Sequence, residues 1–101
     1  MNVIRVVRAN EPYKWKAIFP EGRIVKFGRR GYSDYTIHKD RSRMLRYLVR
    51  HRRRENWTRT GRYTAGFWSR WLLWSRPSLR SAARRTERVL GPQYRIFFKT
   101  I

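Results

Sequence analysis

The chain has 101 residues, enough for one compact domain, and its 26 Lys and Arg against 6 Asp and Glu give a formal charge of +20, which calls for a polyanionic partner. Twenty-one of those cations are Arg and cannot discharge at any useful pH, yet 41% hydrophobic and 16% aromatic residues exceed what a solvated basic tail carries, so the chain reads as a folded basic domain. The absence of Cys excludes disulfides, thiol nucleophiles and cysteine metal sites, and the longest apolar run, Trp71 to Trp74, falls far short of the roughly twenty residues of a membrane span.

In chain order, residues 1–39 read mainly as strands and turns. Val3, Ile4, Val6 and Val7 mark a first strand, and the same segment breaks its apolar residues with Arg, so it lacks a signal-peptide core and secretion by that route is not expected. After Asn10-Glu11-Pro12, Tyr13, Trp15, Ala17 and Phe19 share one apolar face of a second strand. Pro20-Glu21-Gly22 predicts a turn, with Arg23 to Phe27 returning as a hairpin partner, and Tyr32 to His38 has room for a further short strand.

Residues 40–91 read as helical. Asp40 stands where an N-cap belongs, and Met44, Leu45, Leu48 and Val49 predict a core-facing stripe on a helix from Arg41 to Arg53. Asn56-Trp57-Thr58 reads as a chance glycosylation sequon in a polar turn ending at Gly61. Ala65 to Trp74 predicts a short aromatic helix, which Arg76-Pro77-Ser78 stops, with Ser78 placed to cap the next helix. Leu79, Ala82, Ala83, Thr86, Val89 and Leu90 give the apolar face of a third helix, closed by Gly91-Pro92. Residues 92–101 read as a C-terminal strand. The expected fold class is α+β, a small hairpin-rich antiparallel sheet with about three helices in a single domain.

The basic residues form the main functional signal. Arg43, Arg46, Arg50 and Arg53 recur along one side of the first long helix, Arg52-Arg53-Arg54 is continuous, and Arg80, Arg84 and Arg88 line another helix at spacings of four. A solvated helix face is the plain alternative, but plain solubility is usually served by mixed signs, and this surface is nearly single-sign. Trp68, Trp71 and Trp74 read first as a core seam, whereas Trp15, between two lysines, and Trp57, in a polar turn, are candidates for stacking on bases or packing into a partner, with a structural role equally open. No catalytic residues are assigned. A metal nuclease built on Asp34, His38 and Asp40 is the weakest alternative, because in so basic a chain carboxylates serve better as caps or Arg partners. No metal site, cofactor or small-molecule substrate is expected.

The stretches Phe27-Gly28, Gly31 to Asp40, Arg54 to Thr58 and Thr64 to Trp74 resemble a family of small basic proteins encoded by large nucleocytoplasmic DNA viruses of eukaryotes. The likeness covers roughly Phe27 to Leu90 and brings no catalytic residues. It implies a viral protein of the virion, or of the cytoplasm or nucleus of the infected cell. On that footing the expected function is a non-enzymatic virion component, a basic minor capsid or capsid-lining protein. Its Arg would meet viral capsid proteins, the headgroups of an inner membrane surface or packaged DNA. The alternative is a viral protein that binds DNA or RNA in genome condensation or gene expression.

Overall fold

Alternation of inward apolar and outward polar residues builds the first three strands. The computed structural model describes residues 2–98 and runs β1 (Asn2–Arg8), β2 (Tyr13–Ile18), β3 (Ile24–Arg29), α1 (Tyr35–His38) and α2 (Arg41–His51). A 3-10 turn (Arg59–Gly61) follows, then α3 (Ala65–Trp68) continuing into a π-helical turn (Ser69–Leu73), α4 (Leu79–Leu90) and β4 (Tyr94–Phe98). Antiparallel pairing sets Val6 opposite Ala17 and Ala17 opposite Val25. The odd residues of β2 and β3 and the even residues of β1 thereby share one face, and Ile4, Val6, Trp15, Ala17, Val25 and Phe27 are buried there.

The architecture is α+β. Its sheet is mixed rather than wholly antiparallel as expected, in the order β3-β2-β1-β4, because β4 lies parallel to β1 with Ile4 opposite Ile96. The helical segment carries the chain over the covered face and returns it to the end where β1 starts, so the two strands run the same way. The Asn2 N–H donates to the Gln93 carbonyl at 2.9 Å to open this ladder. Residues 99–101 of the expected terminal strand lie outside the described residues.

Three of the expected elements are corrected as well. The Tyr32–His38 connection holds no strand: Asp34 caps α1, its carboxylate accepting the Thr36 N–H at 2.9 Å, and the segment closes into one helical turn. On α2 the inward face is Met44 and Tyr47, with Leu48 and His51 half-buried, while Leu45 and Val49 are exposed. The reason is aromatic: Tyr47 stacks on Trp74 at 4.3 Å and 2° and on His51 at 4.2 Å, which rotates the 44/47/48/51 face inward. The helix also stops at His51, so Arg52, Arg53 and Arg54 lie in the turn beyond it. Third, the Ala65–Trp74 helix changes pitch after Trp68, and the wider π turn buries both Leu72 and Leu73.

The caps expected for α2 and α4 are in place. Asp40 accepts from the Ser42 and Arg43 N–H groups, and Ser78 accepts from Ser81. Thr64 caps α3, and the buried Trp68 donates its indole N–H to the Arg62 carbonyl at 2.7 Å. Gly61 admits no side chain, since a Cβ there would stand 2.0 Å from the Asn56 carbonyl oxygen. One side of the sheet is thus roofed by α3, the π turn and α4.

Candidate polyanion interface

The electrostatics of the surface follow from where the carboxylates go. Glu21 accepts the Tyr63 hydroxyl at 2.7 Å, a bond that holds its carboxyl below the ordinary range, with Arg23 and Arg62 adding to the effect. Asp34 pairs with the Lys14 ammonium at 2.6 Å, and Asp40 caps α2. Glu55 takes the Trp57 indole N–H at 2.8 Å and pairs with His51 at 2.9 Å, and Glu87 accepts the Ile96 N–H at 2.8 Å. Five of the six acids therefore have internal partners. Among the described residues the only ion pairs are Lys14–Asp34 and His51–Glu55, so no Arg is neutralised by a carboxylate.

Two groups of these guanidiniums lie on or beside α2 and α4. Arg43, Arg46 and Arg50 are exposed on α2, with Arg46 donating to the Ser42 hydroxyl at 3.0 Å, and Arg52, Arg53 and Arg54 are exposed just past its end. On α4, Arg80, Arg84 and Arg88 join Arg76, Arg85, Ser78 and Ser81 around an open groove of about 410 Å³. The two rows are tied at their N-terminal ends. Lys39 donates to the Pro77 carbonyl, and Trp74 packs against both His38 (5.3 Å) and Tyr47.

Beneath this junction lies an arginine that residue spacing did not single out. Arg70 is half-buried, stacked at 4.2 Å on Trp71 and 5.3 Å from the Trp57 ring, and donates to the Trp74 carbonyl at 3.1 Å. Arg85 lies over Trp71 at 5.3 Å. Burial pushes the Arg70 guanidinium down to about 10, with Tyr47 opposing that shift and Arg85 and Arg76 adding to it, so it stays charged at neutral pH. Indole faces take the place of the missing carboxylate. Only proximity in the fold reveals this set, because Trp57, Trp71 and Arg85 come from separate segments.

The two expected aromatic contacts resolve differently. Trp15 is a core residue, 6% exposed, edge-on to Phe98 at 4.8 Å and covered by Arg8 at 5.0 Å; its odd position on β2 turns it inward, and it offers no free face. Trp57 is half-buried, with its N–H on Glu55 and its carbonyl accepting from Trp71. Asp34, His38 and Asp40 do not converge: His38 Nδ1 accepts the Asp40 N–H at 2.8 Å, and its burial lowers its pKa. Among the described residues no three His, Asp or Glu gather as a metal-binding group. The Lys14–Asp34 and His51–Glu55 pairs line one recess of about 390 Å³ with Tyr47 and Trp74.

Fold and surface together describe a small α+β domain with arginine rows on two helices. A family described as of unknown function (DUF5754) matches residues 7–51, from the end of β1 through α2. The α4 row and the Arg54–Trp74 stretch lie outside that match. No curated protein and no solved structure matches the chain.

Proposed function

We propose that this protein is a non-enzymatic, polyanion-binding structural component of a virion, a basic minor capsid or capsid-lining protein. The observation that supports it most is the use of the carboxylates inside the fold, which leaves the Arg of α2 and α4 to be neutralised from outside. A guanidinium fork donates alike to acidic capsid side chains, lipid phosphates and packaged DNA. The viral setting rests on the resemblance over Phe27 to Leu90. Quantitative mass spectrometry of nuclease-treated particles, split into shell and core, tests it: recovery with the shell in fixed ratio to its major protein supports the reading, and absence from particles overturns it.

The α4 groove favours a second reading, nucleic-acid binding, because Arg80, Arg84 and Arg88 follow one another a helical turn apart, as a phosphate track requires. Replacing Arg43, Arg46, Arg50 and Arg53 with Gln would then flatten the salt dependence of duplex binding by up to about four units of log–log slope, and replacing Arg80, Arg84 and Arg88 by up to about three. Unchanged slopes in both variants remove the helices from the nucleic-acid interface.

A further inference from the structure

The open face of the sheet carries a pattern that polyanion binding does not use. Register places Ile24, Ile18, Arg5 and Phe97 in one row across all four strands, and Lys26, Lys16 and Val7 in the next. Val3 and Arg95 form the row on the other side. Val3, Ile24 and Phe97 are 44%, 49% and 56% exposed, and Ile18 and Val7 are half-buried between neighbours. Among the described residues Arg5, Lys16, Lys26 and Arg95 are the charged groups of these three rows, and none of the positions in them is a carboxylate. The outer edge of β4 is partly closed: Glu87 holds the Ile96 N–H, Gly91 accepts the Tyr94 N–H at 3.2 Å, and Arg95 takes the Tyr94 carbonyl at 3.1 Å. The face, rather than that edge, is what the sheet presents.

We infer that this face docks an acidic protein surface whose carboxylates alternate with apolar side chains. A second copy of the chain would set the same four cations against themselves, and like charges brought together at a buried interface repel strongly. Nucleic acid would find one stacking ring, Phe97, and four aliphatic side chains with nothing to bury against. An acidic protein face that intersperses carboxylates with apolar side chains matches both the cations and the aliphatic groups between them, such as Val3, Arg5 and Val7 along β1. The molecule would then grip phosphates or headgroups with its helices and a protein with its sheet.

A short soluble peptide of repeating Glu-Thr-Val-Thr, which in extended form sets Glu and Val in turn along one face, is the probe, titrated into the isotope-labelled full chain and followed by NMR, with polyglutamate, a duplex oligonucleotide and phosphatidylserine vesicles as comparisons. The expected footprint covers Val3, Ile18, Ile24 and Phe97. Ile24→Ser with Phe97→Ser weakens peptide binding by about tenfold or more and leaves duplex affinity unchanged. Both side chains are exposed, so the fold tolerates their loss, and Lys16→Glu with Lys26→Glu provides a second disabling variant. A footprint on α2 or α4, peptide binding no tighter than polyglutamate, or a sheet-face footprint from duplex or vesicles that exceeds the peptide's overturns the inference. Because the readout is the sheet face, it can fail while the helical polyanion surface stands, and the reverse.

Discussion

Asp34 is 2% exposed and does two tasks at once, ending the β3–α1 connection as a cap and neutralising Lys14, whose side chain is 14% exposed. Asp34→Ala strands that ammonium and should cost about 3–5 kcal/mol in urea unfolding, while Lys14→Met combined with Asp34→Asn should recover much of it. Gly61→Ala forces a methyl against the Asn56 carbonyl and should destabilise by about 2 kcal/mol or more, read as a lowered midpoint. His38 supplies a pH test. Burial depresses its pKa in the fold, so between that value and the unfolded 6.5 the unfolded chain binds more protons and stability falls on acidification. His38→Phe should flatten that limb relative to the parent chain. The caps at Asp40 and Ser78 were legible in sequence because their partners are two or three residues away. The Lys14–Asp34 pair and the Arg70 stack were not, because they join segments far apart in the chain.

At the scale of elements, α2 shows how pattern can mislead. Counting aliphatic residues selects Leu45 and Val49, but Tyr47 and His51 complete the inward 44/47/48/51 face through ring stacking on Trp74. Leu45→Ser and Val49→Ser should each change stability by less than about 0.5 kcal/mol, whereas Tyr47→Ala should cost about 3–5 kcal/mol in the same unfolding assay. The strands were legible because alternation survives wherever one face is buried. The pitch change after Trp68 was not, because it is set by where Leu72 and Leu73 must pack against the sheet. Arg43, Arg46, Arg50, Arg80, Arg84 and Arg88 occupy exposed helix surface, Arg52, Arg53 and Arg54 lie in the turn past α2, and the structure adds Arg76 and Arg85 at the α4 groove and removes Trp15 to the core.

For the whole molecule, charge sets the response to solution conditions. A formal +20 with few internal pairs repels itself, so the unfolding midpoint should rise with added salt from low ionic strength and rise further with a bound polyanion. Polyphosphate at a hundred times its dissociation constant should add about 2.7 kcal/mol, and calorimetry showing no gain would mean that the anion does not prefer the folded surface. The mixed sheet was the least legible feature: the terminal strand was visible as alternation, but the direction of its pairing depends on the route taken by the helices between.

That pairing also orders events in time. β1 is flanked by β2 on one side and by β4 on the other, and the ladder joining Asn2 to Tyr94 cannot form until everything between them has been synthesised. A ribosome-bound chain that has reached only Leu90 holds its first hairpins with one side of β1 vacant and with Glu87 lacking the Ile96 N–H. Closure is therefore a late, long-range step that local helix formation cannot replace. Chains truncated before Tyr94 should remain protease-sensitive in pulse-labelled translation extracts, while chains extended past Phe98 by a flexible linker should acquire resistance once the terminal strand clears the exit tunnel.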